Sequence, residues 1–272
     1  MIKGKLIAQG NTAEIYECSE DKILKLFRKN MPYVACENEY YITSNVYKSL
    51  KICPQVYEQI DVDDRNGIVY EKIVGKTLLN LMLLKMWKFK KMAKNMAHYH
   101  IDIQKEVTFE LPSVHNKLKT DIAAVVELDQ KEKDILYKYI DKLPHGNYLC
   151  HFDFHPGNII MRESQAVVID WMTACVGDQL SDVARTGVML KYGEIPIKSK
   201  LLKNLMGKFQ KAIYEEYLKE YIRVMGIPIA EVKKWEYPIM AARLREWIPN
   251  CEKIVLLNLV HEYENSDQNR TK

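Results

Sequence analysis

The residues that could do chemistry stand close together in this chain. His151-Phe152-Asp153-Phe154-His155-Pro156-Gly157-Asn158 is followed by a short apolar run, Val167-Val168-Ile169, that ends in a second carboxylate, Asp170. The order is H-x-D-x-x-x-x-N, then an apolar stretch ending in Asp. Phosphoryl transfer from a nucleotide needs that set of groups: one carboxylate for the acceptor alcohol, and an amide oxygen with a second carboxylate to hold Mg²⁺ on the phosphates. Asp153 would orient an acceptor hydroxyl and accept its proton. Asn158 and Asp170 supply the oxygen donors that Mg²⁺ takes. His155, two residues beyond Asp153, is placed either to face the transferred phosphoryl group or to make a structural hydrogen bond, and His151 suits a brace for the loop backbone. A competing reading makes His151, Asp153 and His155 metal ligands on one side of an extended segment. No other His or Cys cluster completes such a site, and it leaves Pro156-Gly157-Asn158 and Asp170 without a purpose.

The N-terminal quarter carries residues suited to phosphates. Gly10-Asn11-Thr12-Ala13 lies between two strand-like segments, where small residues let backbone N–H groups approach an anion. Lys25 is a charge inside the apolar strand Ile23-Leu24-Lys25-Leu26-Phe27. A buried lysine needs a partner, and Glu39 or Glu37 on the following helix would serve, Glu39 the better of the two. The alternative is that Lys25 snorkels off the strand to water.

Around these residues the pattern is β-rich first and helical later. Strands are expected at 5–9, 14–18 and 22–28, then a helix from Pro32 to about Ser49. A hairpin is expected from 56–62 and 67–73, turning at Asp63-Asp64-Arg65-Asn66. From Thr77 the apolar spacing becomes helical, with further helices expected at 113–127, 130–143, 178–190, 197–225, 229–246 and 252–264. Short strands flank the Asp153 loop. The expected fold is α+β and two-lobed: an N-terminal nucleotide-binding lobe over 1–75 and a C-terminal catalytic and acceptor-binding lobe over 76–272, with the seam near Gly75.

Composition narrows the setting. In 272 residues, 47% hydrophobic and 28% charged content are ordinary for a soluble globular protein. No stretch approaches the roughly 20 apolar residues of a membrane span. The best, Leu78 to Trp87, is short and carries Asn80 and Lys85. The N-terminus runs into a strand pattern with no signal-like apolar segment. A net charge of +4 is too mild to argue for nucleic acid. The six cysteines are scattered with no C-x-x-C, as expected of reduced thiols in the cytoplasm. The expected setting is therefore cytoplasmic, with no membrane, no nucleic acid and no obligate protein partner evident.

On these motifs the chain resembles the aminoglycoside phosphotransferase and choline kinase group of small-molecule kinases. The resemblance runs through Gly10 to Tyr16, Lys25 to Arg28, Gly67 to Glu71, His151 to Ile160, Ile169-Asp170-Trp171, Gly177 to Ala184 and Ala242 to Glu246. It implies a protein-kinase-like fold, ATP or GTP as phosphoryl donor with Mg²⁺, and adenine against the interlobe segment. Tyr70 would then stand at the gatekeeper position, with the backbone of Glu71 and Ile73 bonding the purine. Lys25 would position the nucleotide phosphates and Glu39 would orient Lys25. One departure is Phe152, where the family usually carries a small residue; its bulk is expected beside Asp153, on the acceptor side. The loop at Gly10 is also poorer in glycine than that of protein kinases.

Several features favour a small acceptor over a protein. Only seven residues separate Asp170 from Asp178, too few for an activation segment, and no A-P-E follows. Trp171-Met172 stands in place of Phe-Gly, and Phe152 in place of the arginine that would read a phosphorylated loop. Asp178 reads as a helix N-cap and Asp182 as a carboxylate that receives backbone N–H groups of the loop. Glu194, Glu215, Glu216, Glu262 and Glu264 could line an acidic cleft for a polycation. Tyr214, Tyr217 and Tyr221 have core or groove-wall spacing, and the five lysines of 198–211 suit a solvated helix face. The expected activity is transfer of a γ-phosphoryl group from ATP or GTP to a hydroxyl of an aminoglycoside-like, amino-sugar or amino-alcohol acceptor. The alternatives are a nucleotide-binding module without catalysis and a protein kinase.

Overall fold

The computed structural model describes residues 3–194 and 199–268. Along the chain run β1 (Leu6–Gln9), β2 (Ala13–Glu17), β3 (Lys22–Phe27), α1 (Tyr33–Leu50), β4 (Val56–Val62), β5 (Arg65–Glu71), β6 (Lys76–Thr77) and α2 (Leu78–Leu84). There follow α3 (Phe89–Ile103), α4 (Val114–Ala123), α5 (Gln130–Ile140), β7 (Tyr148–Cys150), β8 (Ile159–Arg162), β9 (Gln165–Val168) and β10 (Cys175–Gly177). The chain continues with α6 (Gln179–Tyr192), α7 (Lys200–Met225), α8 (Ile229–Lys233), α9 (Glu236–Arg243) and α10 (Asn250–Gln268). The fold is α+β, with a β-rich beginning and a helical remainder. Two compact units result: the chain up to Leu84 together with Pro156–Ala174, and Lys85–His155 together with the chain from Cys175 onward.

In the first unit five antiparallel strands lie in the order β1-β2-β3-β5-β4. Alternation along β3 divides its side chains between the two faces of the sheet. Leu24 and Leu26 join Val69 in one cluster, while Phe27 packs with Cys36 of α1, Ile68 and Tyr70 in the other. Lys25 therefore stands on the face that α1 covers, and a one-residue slip of β3 would move it to the opposite face. The β4–β5 turn is tighter than the four residues expected. Asp63 and Asp64 alone turn it, both at positive φ (53° and 56°), as a two-residue hairpin requires. Arg65 is already in the strand, held by hydrogen bonds to the Phe27 and Leu26 carbonyls and to Glu14.

The segment from Pro156 belongs to this unit through the small sheet β6-β8-β9. Gly75 permits that pairing: a Cβ there would sit 2.2 Å from the Met161 carbonyl oxygen. Val168 N–H also donates to Ile52 O at 2.8 Å, and Met172 packs against the Phe27–Ile68 cluster.

The second unit is built on helices and one short strand pair, β7 with β10, in which Cys150 faces Cys175. Every residue of α6 from Ser181 to Leu190 is buried, and α3 presents Ala93, Met96, Ala97, His100 and Ile103 to the core at helical spacing. Tyr217 and Tyr221 are fully buried, so they are core. The helix expected over 229–246 is two helices. Pro238 cannot donate to the carbonyl of residue 234 and would clash with it, but it is tolerated in the first turn of α9. The helix expected from Ser113 to Glu127 is shorter, with Ser113 as its N-cap, accepting from Asn116 N–H. The expected helix start at Ile197 lies outside the described residues; α7 is capped by Ser199. Among the described residues no helix is long and apolar enough to cross a membrane.

Candidate active site

In the first unit Lys25 is the hub. Its Nζ donates to Glu39 Oε1 at 2.6 Å and Oε2 at 2.9 Å, and to Asp170 Oδ1 at 2.9 Å. Lys25 and Glu39 are 8% and 2% exposed, so the lysine does not snorkel, and its α1 partner is Glu39. Burial works against the ammonium charge, but the Asp170 and Glu39 carboxylates outweigh it and raise the Lys25 pKa above its ordinary 10.5. The buried Tyr70 hydroxyl donates to Glu39 Oε1 at 2.9 Å, so it fixes the glutamate that fixes the lysine. Asp170 stands in the left-handed region (φ 66°) at the head of the short 3-10 helix Trp171–Thr173. Trp171 anchors that turn, fully buried, with its indole N–H on Val168 O.

Gly10, Asn11 and Thr12 form the tip between β1 and β2. Gly10 N–H donates to Ala13 O at 2.9 Å, and the Arg28 guanidinium donates twice to Gly10 O. A Cβ on Gly10 would meet only Ala13 O, at 3.6 Å, an ordinary contact. At the end of β5, Glu71 donates its N–H to Gln55 O, and its carboxylate accepts from Arg162 and from Gln55 N–H. Ile73 lies just beyond the strand and is half-buried.

Asn158 and Asp170 are linked through the backbone, since Ile169 N–H donates to Asn158 O at 2.9 Å. Both side chains offer oxygen, the donor type that Mg²⁺ prefers when waters and phosphates complete its shell, so the pair fits that ion. Among the described residues no group of three or more His, Cys, Asp or Glu is arranged to hold a metal.

The Asp153 loop lies in the second unit and is gripped by its backbone. Asp182 on α6 accepts from His151 N–H at 2.6 Å and from Phe152 N–H at 2.9 Å. His151 is fully buried and its Nδ1 accepts from Asp153 N–H at 3.2 Å, which makes it a brace. Burial opposes ionisation of Asp182, but the adjoining His100 imidazole and the loop N–H groups hold its pKa below the ordinary 3.8. Phe152 has φ 61° and is 3% exposed. Its ring is buried in the core. The Asp153 and His155 side chains are about a third exposed, and His155 Nε2 lies 3.8 Å from Asp153 Oδ2, beyond hydrogen-bond reach.

Sequence reasoning missed three residues here. His100 bonds both Asp182 (3.0 Å) and the Tyr217 hydroxyl (2.6 Å) and stacks on Phe154 at 4.0 Å. Arg185 Nε donates to Phe152 O at 3.2 Å, and Thr186 Oγ1 donates to Phe154 O at 2.8 Å. A histidine on the apolar face of a helix was the available signal for His100. Asp178, as expected, caps α6 by accepting from Leu180 N–H. Of the five glutamates considered for an acidic cleft, Glu194 and Glu216 are paired with Lys203 and Lys90.

The family model described as the phosphotransferase enzyme family matches residues 3–221. Similar solved structures include a thermostable mutant of aminoglycoside phosphotransferase APH(4)-Ia, with TM-score 0.64, 13% identity, and 97% of this chain and 94% of that one covered. A choline/ethanolamine kinase family protein from Mesorhizobium loti gives TM-score 0.57 at 16% identity over 96% and 81% of the two chains. A choline kinase from Cryptosporidium parvum gives 0.56 at 14% over 97% and 90%. At these identities the likeness is one of fold. No curated protein matches the chain.

Proposed function

Because the chain belongs to the phosphotransferase enzyme family, we propose that it is a small-molecule kinase. It carries the γ-phosphoryl group of ATP or GTP to a hydroxyl of an aminoglycoside-like, amino-sugar or amino-alcohol acceptor. The observation that carries this reading is Lys25, a buried cation held by Glu39 and by Asp170, the carboxylate that closes the apolar run after the Asp153 loop. A fold needing only a satisfied core has no need to bury the Lys25–Glu39 pair, because desolvating two charges is costly.

In this reading residues 1–75 are the nucleotide-binding lobe and 76–272 the catalytic and acceptor-binding lobe. Lys25 donates to the α- and β-phosphates, with Glu39 and Tyr70 fixing its position. The turn of Gly10, Asn11 and Thr12 covers the phosphates through the Asn11 and Thr12 N–H groups, since the Gly10 N–H is already engaged with Ala13 O. A Cβ at Gly10 would meet only Ala13 O, at 3.6 Å, so the turn leaves open space beside Gly10 for a phosphate to come close. Tyr70 stands at the gatekeeper position, and the Glu71 carbonyl and Ile73 backbone bond the purine; the Glu71 N–H is already engaged with Gln55. Asn158 and Asp170 hold Mg²⁺, which when bound neutralises charge on the phosphate oxygens. Asp153 accepts the acceptor's hydroxyl proton as the O–P bond forms and the nucleoside diphosphate leaves. His155 lends positive potential to the transferred group.

Solved structures with this fold include a ternary complex of the aminoglycoside phosphotransferase APH(4)-Ia with AMP-PNP and hygromycin B, and a choline kinase. They motivate the panel that tests the proposal: aminoglycosides, macrolides, choline, amino sugars and nucleosides, each incubated with the chain, γ-labelled ATP or GTP, and Mg²⁺. Label appearing on one class, and lost with a chelator, is the expected result. Nucleotide binding with no transfer to any acceptor would point to a binding module, and label on protein would point to a protein kinase.

A further inference from the structure

We propose that Arg185 is a positioning residue for Asp153, acting through the Phe152 carbonyl and itself aimed by Glu246. The proposal rests on the reading of Asp153 as the base.

Phe152 is an aromatic residue in the left-handed region, where its Cβ crowds the backbone. Released, it would relax to an ordinary φ and swing the peptide that leads directly into Asp153. The Phe152 backbone is gripped at both ends. Asp182 Oδ1 accepts its N–H, and Arg185 Nε donates to its carbonyl. Asp182, Arg185 and Thr186 stand at i, i+3 and i+4, one face of α6, and together engage four backbone groups of residues 151–154. Arg185 is 7% exposed, and its NH2 donates to Glu246 Oε1 at 2.5 Å. Glu246 in turn accepts from Arg243 at 2.8 Å, and Arg243 is held by Glu252 at 2.7 Å. The guanidinium thus has one place to be, and the Phe152–Asp153 peptide inherits it. A buried ion pair that served stability alone would not need its Nε on the backbone of the residue preceding the base.

The test measures turnover of Mg²⁺–ATP with the acceptor from the panel, per molecule shown by nucleotide titration to be folded, in wild type, Asp153→Ala, Arg185→Met and Arg185→Lys. Arg185→Met should lower kcat by roughly 10- to 100-fold, the size expected when a reacting group is misplaced by about 1 Å, with the nucleotide KM unchanged. Arg185→Lys, which keeps a donor, should recover part of the loss. Glycine enters the left-handed region freely, so Phe152→Gly, or Phe152→Asn where the cavity prevents folding, should also raise kcat in the Arg185→Met background. Wild-type kcat in Arg185→Met beside an inactive Asp153→Ala overturns the proposal. So does a loss that neither Arg185→Lys nor the residue 152 replacements relieve. An active Asp153→Ala overturns instead the reading on which the proposal stands.

Discussion

At Gly10 the surrounding atoms leave room for a methyl group, and its φ is outside the left-handed region. Gly10→Ala should therefore leave thermal stability unchanged or raise it by up to about 1 kcal/mol, through reduced freedom of the unfolded chain. The nucleotide KM should nevertheless rise several-fold; an unchanged KM would mean that the turn does not approach phosphate. Lys25 makes a second argument at this scale. Removing one partner from a buried ion pair costs about 3–5 kcal/mol, because the other charge stays buried. Glu39→Ala should lose stability of that order in a denaturant titration, whereas a loss below about 1 kcal/mol would mean that Asp170 suffices for Lys25. The Lys25–Glu39 pair was legible in the sequence because a charge inside an apolar strand has few partners within reach. The burial of Phe152 was not, because the sign of φ is set by what grips the backbone, and those groups lie 30 and 33 residues away.

Helix α6 acts as a unit. Its N-cap Asp178 and the carboxylate Asp182 could be read from their position after the apolar run. Arg185 and Thr186 could not, since they sit on a helix buried on every side, where polar residues are indistinguishable from satisfied core. The break between α8 and α9 follows from Pro238, which the expected single helix overlooked. The depressed pKa of Asp182 ties this element to pH. Its contribution to stability is present above the ordinary carboxylate value of 3.8 and is lost as pH falls through the lower folded value. Asp182→Asn should therefore be less stable than wild type at neutral pH, and the gap between them in urea melts should narrow towards pH 3. A gap independent of pH would show that the Asp182 charge does not hold the loop.

At the scale of the whole molecule, the order of β-rich and helical segments was legible because the apolar period changes from two to 3.6 near Thr77. That residues 156–174 fold with the N-terminal sheet was not legible, because β8 and β9 are too short to announce a partner. They supply the β6–β8 pairing and bring Met172 to the Phe27–Ile68 cluster. A fragment of residues 1–84 should accordingly show no cooperative thermal transition by circular dichroism, and a sharp transition would contradict that dependence. The central claim is that the chain is a kinase whose base is Asp153, and the most direct measurement compares Asp153→Ala with wild type for phosphoryl transfer and for nucleotide affinity. Transfer should fall by at least about 100-fold, the contribution of a positioned general base, with nucleotide affinity changed by less than about threefold. Turnover at the wild-type rate in Asp153→Ala, with the true acceptor present, would contradict the account.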